Sequence, residues 1–139
     1  MLQVSAVAVR VLGDDTEPVI DVKSMPNYKK LGADAVRFWR EEEASHGFGD
    51  VLGHVIYIAG AWLDQDVFAT ALSVNRIGYD TRVLVDVSVA RSRFDRQWAL
   101  ERLEQESIRM TTIRQTITEW SLAAPDERIF RQLRKPQPE

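Results

Sequence analysis

A chain of 139 residues with 45% hydrophobic and 28% charged side chains is a single-domain length, able to hide roughly two-thirds of its unfolded surface. Eighteen basic against 21 acidic side chains leave a net charge of -3, which supplies no field to gather phosphates, so nucleic-acid binding is not expected. Cysteine is absent, which excludes disulfides, thiolate zinc sites and a thiol nucleophile, and fits a reducing, cytoplasmic compartment.

The opening MLQVSAVAVRVLGDD lacks the positive flank and sustained apolar run of a secretory signal. No stretch reaches about 18 uninterrupted apolar residues, so the sequence reads as mature and soluble, without a membrane partner. From Val4 to Leu12, valines at 7, 9 and 11 alternate with small or polar neighbours, the pattern of a strand. Gly13, Asp14 and Asp15 break it, and Val19, Ile20 and Val22 form a second short β-branched run ended by Met25, Pro26 and Asn27. Between Leu31 and Glu43 the spacing of Leu31, Ala35, Phe38 and Trp39 predicts an amphipathic helix with Arg37, Arg40 and the glutamates in water. SHGFGD, residues 45–50, reads as a loop.

Strand and helix then alternate. HVIYIA, His54 to Ala59, is continuous enough in apolar character for a strand covered on both faces. A helix over Asp66–Ile77 shows Val67, Phe68, Ala71, Leu72 and Val74 on one broad face, with Gly78 where a C-cap belongs. TRVLVDV, Thr81 to Val87, is the next strand; Ser92–Glu106 is a helix with Phe94, Trp98 and Leu103 directed inward; Ile108–Thr111 is another strand. Thr112 and Gln115 stand in capping-box spacing before a helix with Ile113, Ile117 and Trp120 on its inner stripe. Pro125 ends the pattern, and DERIFRQLRKPQPE is a polar tail with one or two helical turns, a place to meet a partner. The expected architecture is one domain, residues 1–124, followed by the tail 125–139: a three-layer α/β fold with a mainly parallel sheet and helices on both faces. Ligands in such sheets gather beyond the carboxyl ends of strands, which directs attention to residues 60–65 and 88–92.

The run IYIAGAWLDQDVFATALSVNRIGYDTRVLVDVSVARS, Ile56 to Ser92, resembles the cysteine-hydrolase branch of the isochorismatase-like superfamily. Gly60, Asp64, Thr70, Ala71, Gly78, Tyr79 and Asp86 fall in order on its pattern of strand, glycine turn, nucleophile and helix. ALERLEQESIRMTTIRQTITEW is similar to its last helix, strand and terminal helix. VIDVKSMPNY resembles the strand ending in the family's catalytic lysine, which the resemblance assigns to Lys23, 43 positions before Asp66. Asp66 occupies the place of the nucleophilic cysteine. The aspartate-bearing first strand of the family does not fit into the first 22 residues, so that part of the fold is missing, rebuilt or supplied by another chain.

These residues define two expectations. A carboxylate attacks amides poorly, so the chain is expected to be a degenerate member that binds a small molecule or serves as a structural subunit, in a homo-oligomer or with a protein partner. Alternatively, it is a cysteine-independent hydrolase of a small amide or vinyl ether, with Asp66 as acid/base and Lys23 orienting the substrate. Each residue has a plainer role. Asp64 would cap the helix and Asp66 accept its free N–H groups. Lys23 would be a solvated or salt-bridged strand-end lysine, and Trp62 would stack on a planar ligand or pack at a subunit contact. His46 lies on a loop and His54 precedes a strand. Neither belongs to a metal pair, and no cofactor or metal is expected.

Overall fold

The computed structural model describes residues 8–9, 30–31, 36, 55–124 and 126–134. Two short strands, β1 (Ala8–Val9) and β2 (Lys30–Leu31), pair in parallel, with Val9 opposite Leu31. Leu31 is therefore extended, not the first residue of a helix, because its backbone belongs to the ladder with β1. Side-chain periodicity carries no information about such a partner 22 positions away. Val36 is helical and exposed. The run Val19–Val22 and the remainder of the 31–43 pattern, Trp39 included, lie outside the described residues.

The main sheet is formed by β3 (Val55–Ile58), β4 (Asp80–Leu84) and β5 (Arg109–Thr111), all parallel, in that order. Ile58 pairs with Val83, and Leu84 with Thr111. After β3 the chain makes a π-helical turn (Leu63–Val67) that runs into α1 (Phe68–Ile77). After β4 comes α2 (Arg93–Gln105), and after β5 come α3 (Ile113–Leu122) and α4 (Glu127–Leu133). Side chains alternate across a strand, so Ile58 and Val83 share one face, where they join Leu63, Val67, Ala71, Val74, Ala99, Leu103 and Ile108 in the core. Tyr57 and Arg82 share the other face, where α3 meets them: the Trp120 indole donates to the Tyr57 hydroxyl at 3.2 Å, and Glu119 pairs with Arg82. With α1 and α2 on one side and α3 on the other, the expected α/β fold with a parallel sheet and helices on both faces is borne out.

Local chemistry sets the element ends. Gly78 closes α1 at φ 108°, in the left-handed region, and the Tyr79 N–H reaches back to the Val74 carbonyl at 3.4 Å. Ser92 caps α2 by accepting from the Asp95 N–H at 3.1 Å. Thr112 and Gln115 form the full reciprocal capping box of α3. Ile129 N–H donates to Asp126 at 2.9 Å at the start of α4, which gives the tail its two turns. Among the described residues no helix is long and apolar enough to cross a membrane.

Three inward assignments are corrected. Phe94 is 70% and Trp98 61% exposed, because α2 approaches the turn and α1 through Ala99 and Leu103, a stripe adjacent to the aromatic one. Ile113 is exposed as well, while Thr116 and Ser121 are the buried positions of α3. Their hydroxyls are engaged inside, Ser121 donating to the Ile117 carbonyl at 2.7 Å, so short polar groups fill places expected to be aliphatic. Finally, β4 ends at Leu84 and leaves Val87 exposed, since Asp86 turns away to accept the Ile113 N–H at 3.0 Å, fastening the start of α3 to the strand end.

Candidate functional site

At the carboxyl end of β3 the chain must leave the sheet and enter a helix. Gly60 does this at φ 148°. A β-carbon there would approach no atom closer than Val67 Cγ2 at 3.8 Å, so conformation and not space favours glycine. The Ala61–Trp62 peptide is cis. Beyond the strands, pairing continues: Val89 N–H donates to the Gly60 carbonyl at 3.1 Å, Leu63 N–H donates to the Val89 carbonyl at 2.7 Å, and Ala61 bridges Val89 in parallel. The loops after β3 and β4 are thereby joined into one lip at the mouth of the crossover, where parallel α/β sheets bind ligands.

The turn sends its polar residues in different directions. Gln65 accepts from Arg91 Nη2 at 2.7 Å, and the same guanidinium lies 5.5 Å from the centroid of the Trp62 ring, a cation–π contact across the two loops. Trp62 remains 40% exposed. Asp64 is half-buried, with Oδ1 fully buried and, among the described residues, without a hydrogen-bond partner. It lines an open groove of about 240 Å³ together with Phe68, Asp95, Trp98, Ala99 and Arg102. Asp66 is half-buried in the same turn and engaged with a neighbour. Both carboxylates sit in the first turn, where the helix dipole favours negative charge. Neither is the helix cap. Trp62 occupies that position without a side-chain hydrogen bond, which corrects the expectation for Asp64: the π-helical turn starts the helix one residue before it.

Two other side chains stiffen the mouth. Arg96 of α2 donates to the carbonyls of Ser88 at 2.8 Å and Val85 at 2.5 Å, holding the loop after β4 against the helix that follows. The Ser88 hydroxyl donates to the Leu84 carbonyl at 2.7 Å. Arg91, Gln65 and Arg96 were not singled out by sequence reasoning, since a lone arginine has no spacing signature; only their place in the loop segments 60–65 and 88–92 and just after marked them. Lys23, His46 and His54 lie outside the described residues. Among the described residues, no group of three or more His, Cys, Asp or Glu converges as metal ligands would.

A parallel sheet with helices on both faces and a glycine-initiated turn at its carboxyl edge defines a layered α/β protein. Residues 47–115 match the isochorismatase domain, and over this segment the expected kinship with the isochorismatase-like superfamily is borne out. Three solved structures are similar. An octameric hydrolase of unknown specificity from Escherichia coli is 22% identical, with a TM-score of 0.58, over 91% of this chain and 69% of that one. An isochorismatase-like hydrolase from Alkaliphilus metalliredigens is 21% identical, with a TM-score of 0.45, over 48% of this chain. An isochorismatase family protein from Desulfovibrio vulgaris subsp. vulgaris str. Hildenborough is 19% identical, with a TM-score of 0.44, over 50% of this chain. The matched region spans 36% and 35% of the lengths of the last two. No curated protein sequence matches the chain.

Proposed function

We propose that this chain is a cysteine-free isochorismatase-like protein that has given up thiol-dependent hydrolysis and works in the cytoplasm as a small-molecule-binding or structural subunit of a homo-oligomer. The observation that carries this reading is the absence of any cysteine in a chain whose turn at the crossover mouth presents Asp66 where the resemblance assigns the nucleophile. A carboxylate, ionised at neutral pH, is a poor nucleophile toward an amide carbonyl. The exposed Trp62 with Arg91 across its ring suits a planar ligand at that mouth. The octameric assembly of the Escherichia coli neighbour supports the subunit role.

The competing reading keeps catalysis, with Asp66 as proton donor and Lys23 orienting a small amide or vinyl ether. It is favoured by the half-burial of Asp66 beside the strand end, since a general acid needs partial desolvation. Turnover of pooled small amides and of isochorismate by the purified chain, beside Asp66→Ala, separates the two. No turnover by either protein is expected. Hydrolysis that disappears in Asp66→Ala would establish the enzyme instead.

A further inference from the structure

The loops after β3 and β4 are joined at the mouth by side chains as well as by backbone. Arg91 reaches from the second loop to the first, donating through Nη2 to the Gln65 side-chain carbonyl at 2.7 Å and lying 5.5 Å from the Trp62 ring centroid. Arginines elsewhere are matched by acids: Arg82 by Glu119, Arg102 by Glu106, Arg109 by Asp80 and Arg131 by Glu127. Arg96 is occupied by the carbonyls of Ser88 and Val85. Among the described residues Arg91 belongs to no ion pair. What sets it apart from the other arginines without an acid is that side chains of a facing loop hold it in place, and both of them are neutral. Gln65 takes one N–H and leaves the charge uncompensated, so the rest of the planar fork is ready for an oxyanion. Apolar surface lies on both sides: Trp62 is exposed on the first loop, Val87 and Val89 on the second.

We propose that this lip binds a small, flat carboxylic acid in its ionised form, the carboxylate on the remaining N–H groups of Arg91 and the ring against Trp62. A guanidinium pairs with carboxylate and phosphate alike, but Asp64 and Asp66 stand in the same turn as Gln65. Their repulsion grows with the charge of the ligand, so a monoanion is favoured over a phosphate dianion. Neither carboxylate occupies Arg91 itself: Asp64 lines the groove on the α2 side with Trp98 and Arg102, and Asp66 is half-buried with a partner of its own. This inference rests on the small-molecule-binding reading above and supplies the chemistry of the ligand that reading leaves open.

The test titrates the whole chain, unaltered and as Arg91→Gln and Trp62→Leu, in ligand-observed NMR. The probes are benzoate and 2-naphthoate, their neutral amides, and inorganic phosphate. Both substituted positions are exposed, and circular dichroism checks that each variant is folded. The unaltered chain is expected to bind each acid about tenfold more tightly than its amide, the effect of one charge-assisted contact, and more tightly than phosphate. Arg91→Gln should lose that preference while binding the amides as before, which a merely damaged fold would not do. Trp62→Leu should weaken acids and amides together, by about threefold to tenfold. Acids and amides bound equally by the unaltered chain, a preference that survives in Arg91→Gln, or phosphate bound more tightly than the acids would overturn the ligand class and leave the small-molecule reading standing. An unaltered chain that binds neither acids nor amides would overturn both.

Discussion

Helices α1 and α2 lie on the same face of the sheet and carry apolar residues at helical spacing, yet their surroundings differ. Helix α1 packs over β3 and β4, and Leu63, Val67, Ala71 and Val74 of the turn and α1 are all buried. Helix α2 contacts α1, the turn and β5, at the end of the described sheet, and buries only Ala99 and Leu103 while its two aromatics face out. A helix over the middle of a sheet meets neighbours around more of its circumference than one over the margin. A broad apolar stripe is consumed as core in the first case and split between core and surface in the second.

Substitution can break this contrast. The largest effect is expected at Leu103, which is 0% exposed: Leu103→Ala should lower unfolding stability by about 2–5 kcal/mol in urea denaturation, from lost transfer energy plus a cavity. A loss below about 1 kcal/mol would mean that the margin helix is not held by this residue. At the end of α1, Gly78→Ala places a β-carbon on a backbone at φ 108°, and about 1–2 kcal/mol should be lost. On the opposite face of the sheet, Glu119→Gln removes the carboxylate from Arg82, whose side chain is only 15% exposed, at a cost of about 1 kcal/mol given the exposure of Glu119 itself. Burial pulls the Arg82 pKa down, but the hydrogen bond it donates to Glu119 and its electrostatic interactions with Tyr57, Glu119 and Asp80 outweigh this and hold the guanidinium above its ordinary value. A raised pKa contributes stability below the unfolded value and loses it only as pH climbs through the folded one. The Glu119→Gln penalty should therefore be the same at neutral and moderately alkaline pH, and a penalty fading across that range would contradict the assignment. The smallest effect is expected at Trp98: for an exposed side chain, Trp98→Ala should change monomer stability by no more than about 0.5 kcal/mol. Because Trp98 and Leu103 share α2, the difference between their substitutions measures the split directly.

Much of this was legible from residue order. The three parallel strands, the glycine closing α1 and the reciprocal box of Thr112 and Gln115 follow from short-range pattern and cap chemistry, and apart from the end of β4, which comes three residues early at Leu84, they appear within a residue or two of their expected places. The same reasoning marked the mouth beyond β3 and the unusual carboxylate in its turn. It missed the outward aromatics of α2 because periodicity locates a stripe without saying whether anything covers it. It missed the guanidinium of Arg91 on Trp62, and the two carbonyls held by Arg96, because those contacts join segments about 30 or fewer positions apart through side chains that have no fixed spacing.

The amino-acid order by itself determined the layered α/β architecture, the location of the crossover mouth and the absence of a thiol, since these depend on hydrophobic period, turn residues and the presence or absence of one residue type. Tertiary packing alone decided that Asp64 Oδ1 would lie buried and, among the described residues, unpartnered, that Asp66 would be half-buried, and that Asp86 would fasten α3 to the sheet. Those outcomes depend on which element stands next to which, and the energy of a buried polar group is set by neighbours that local sequence does not specify.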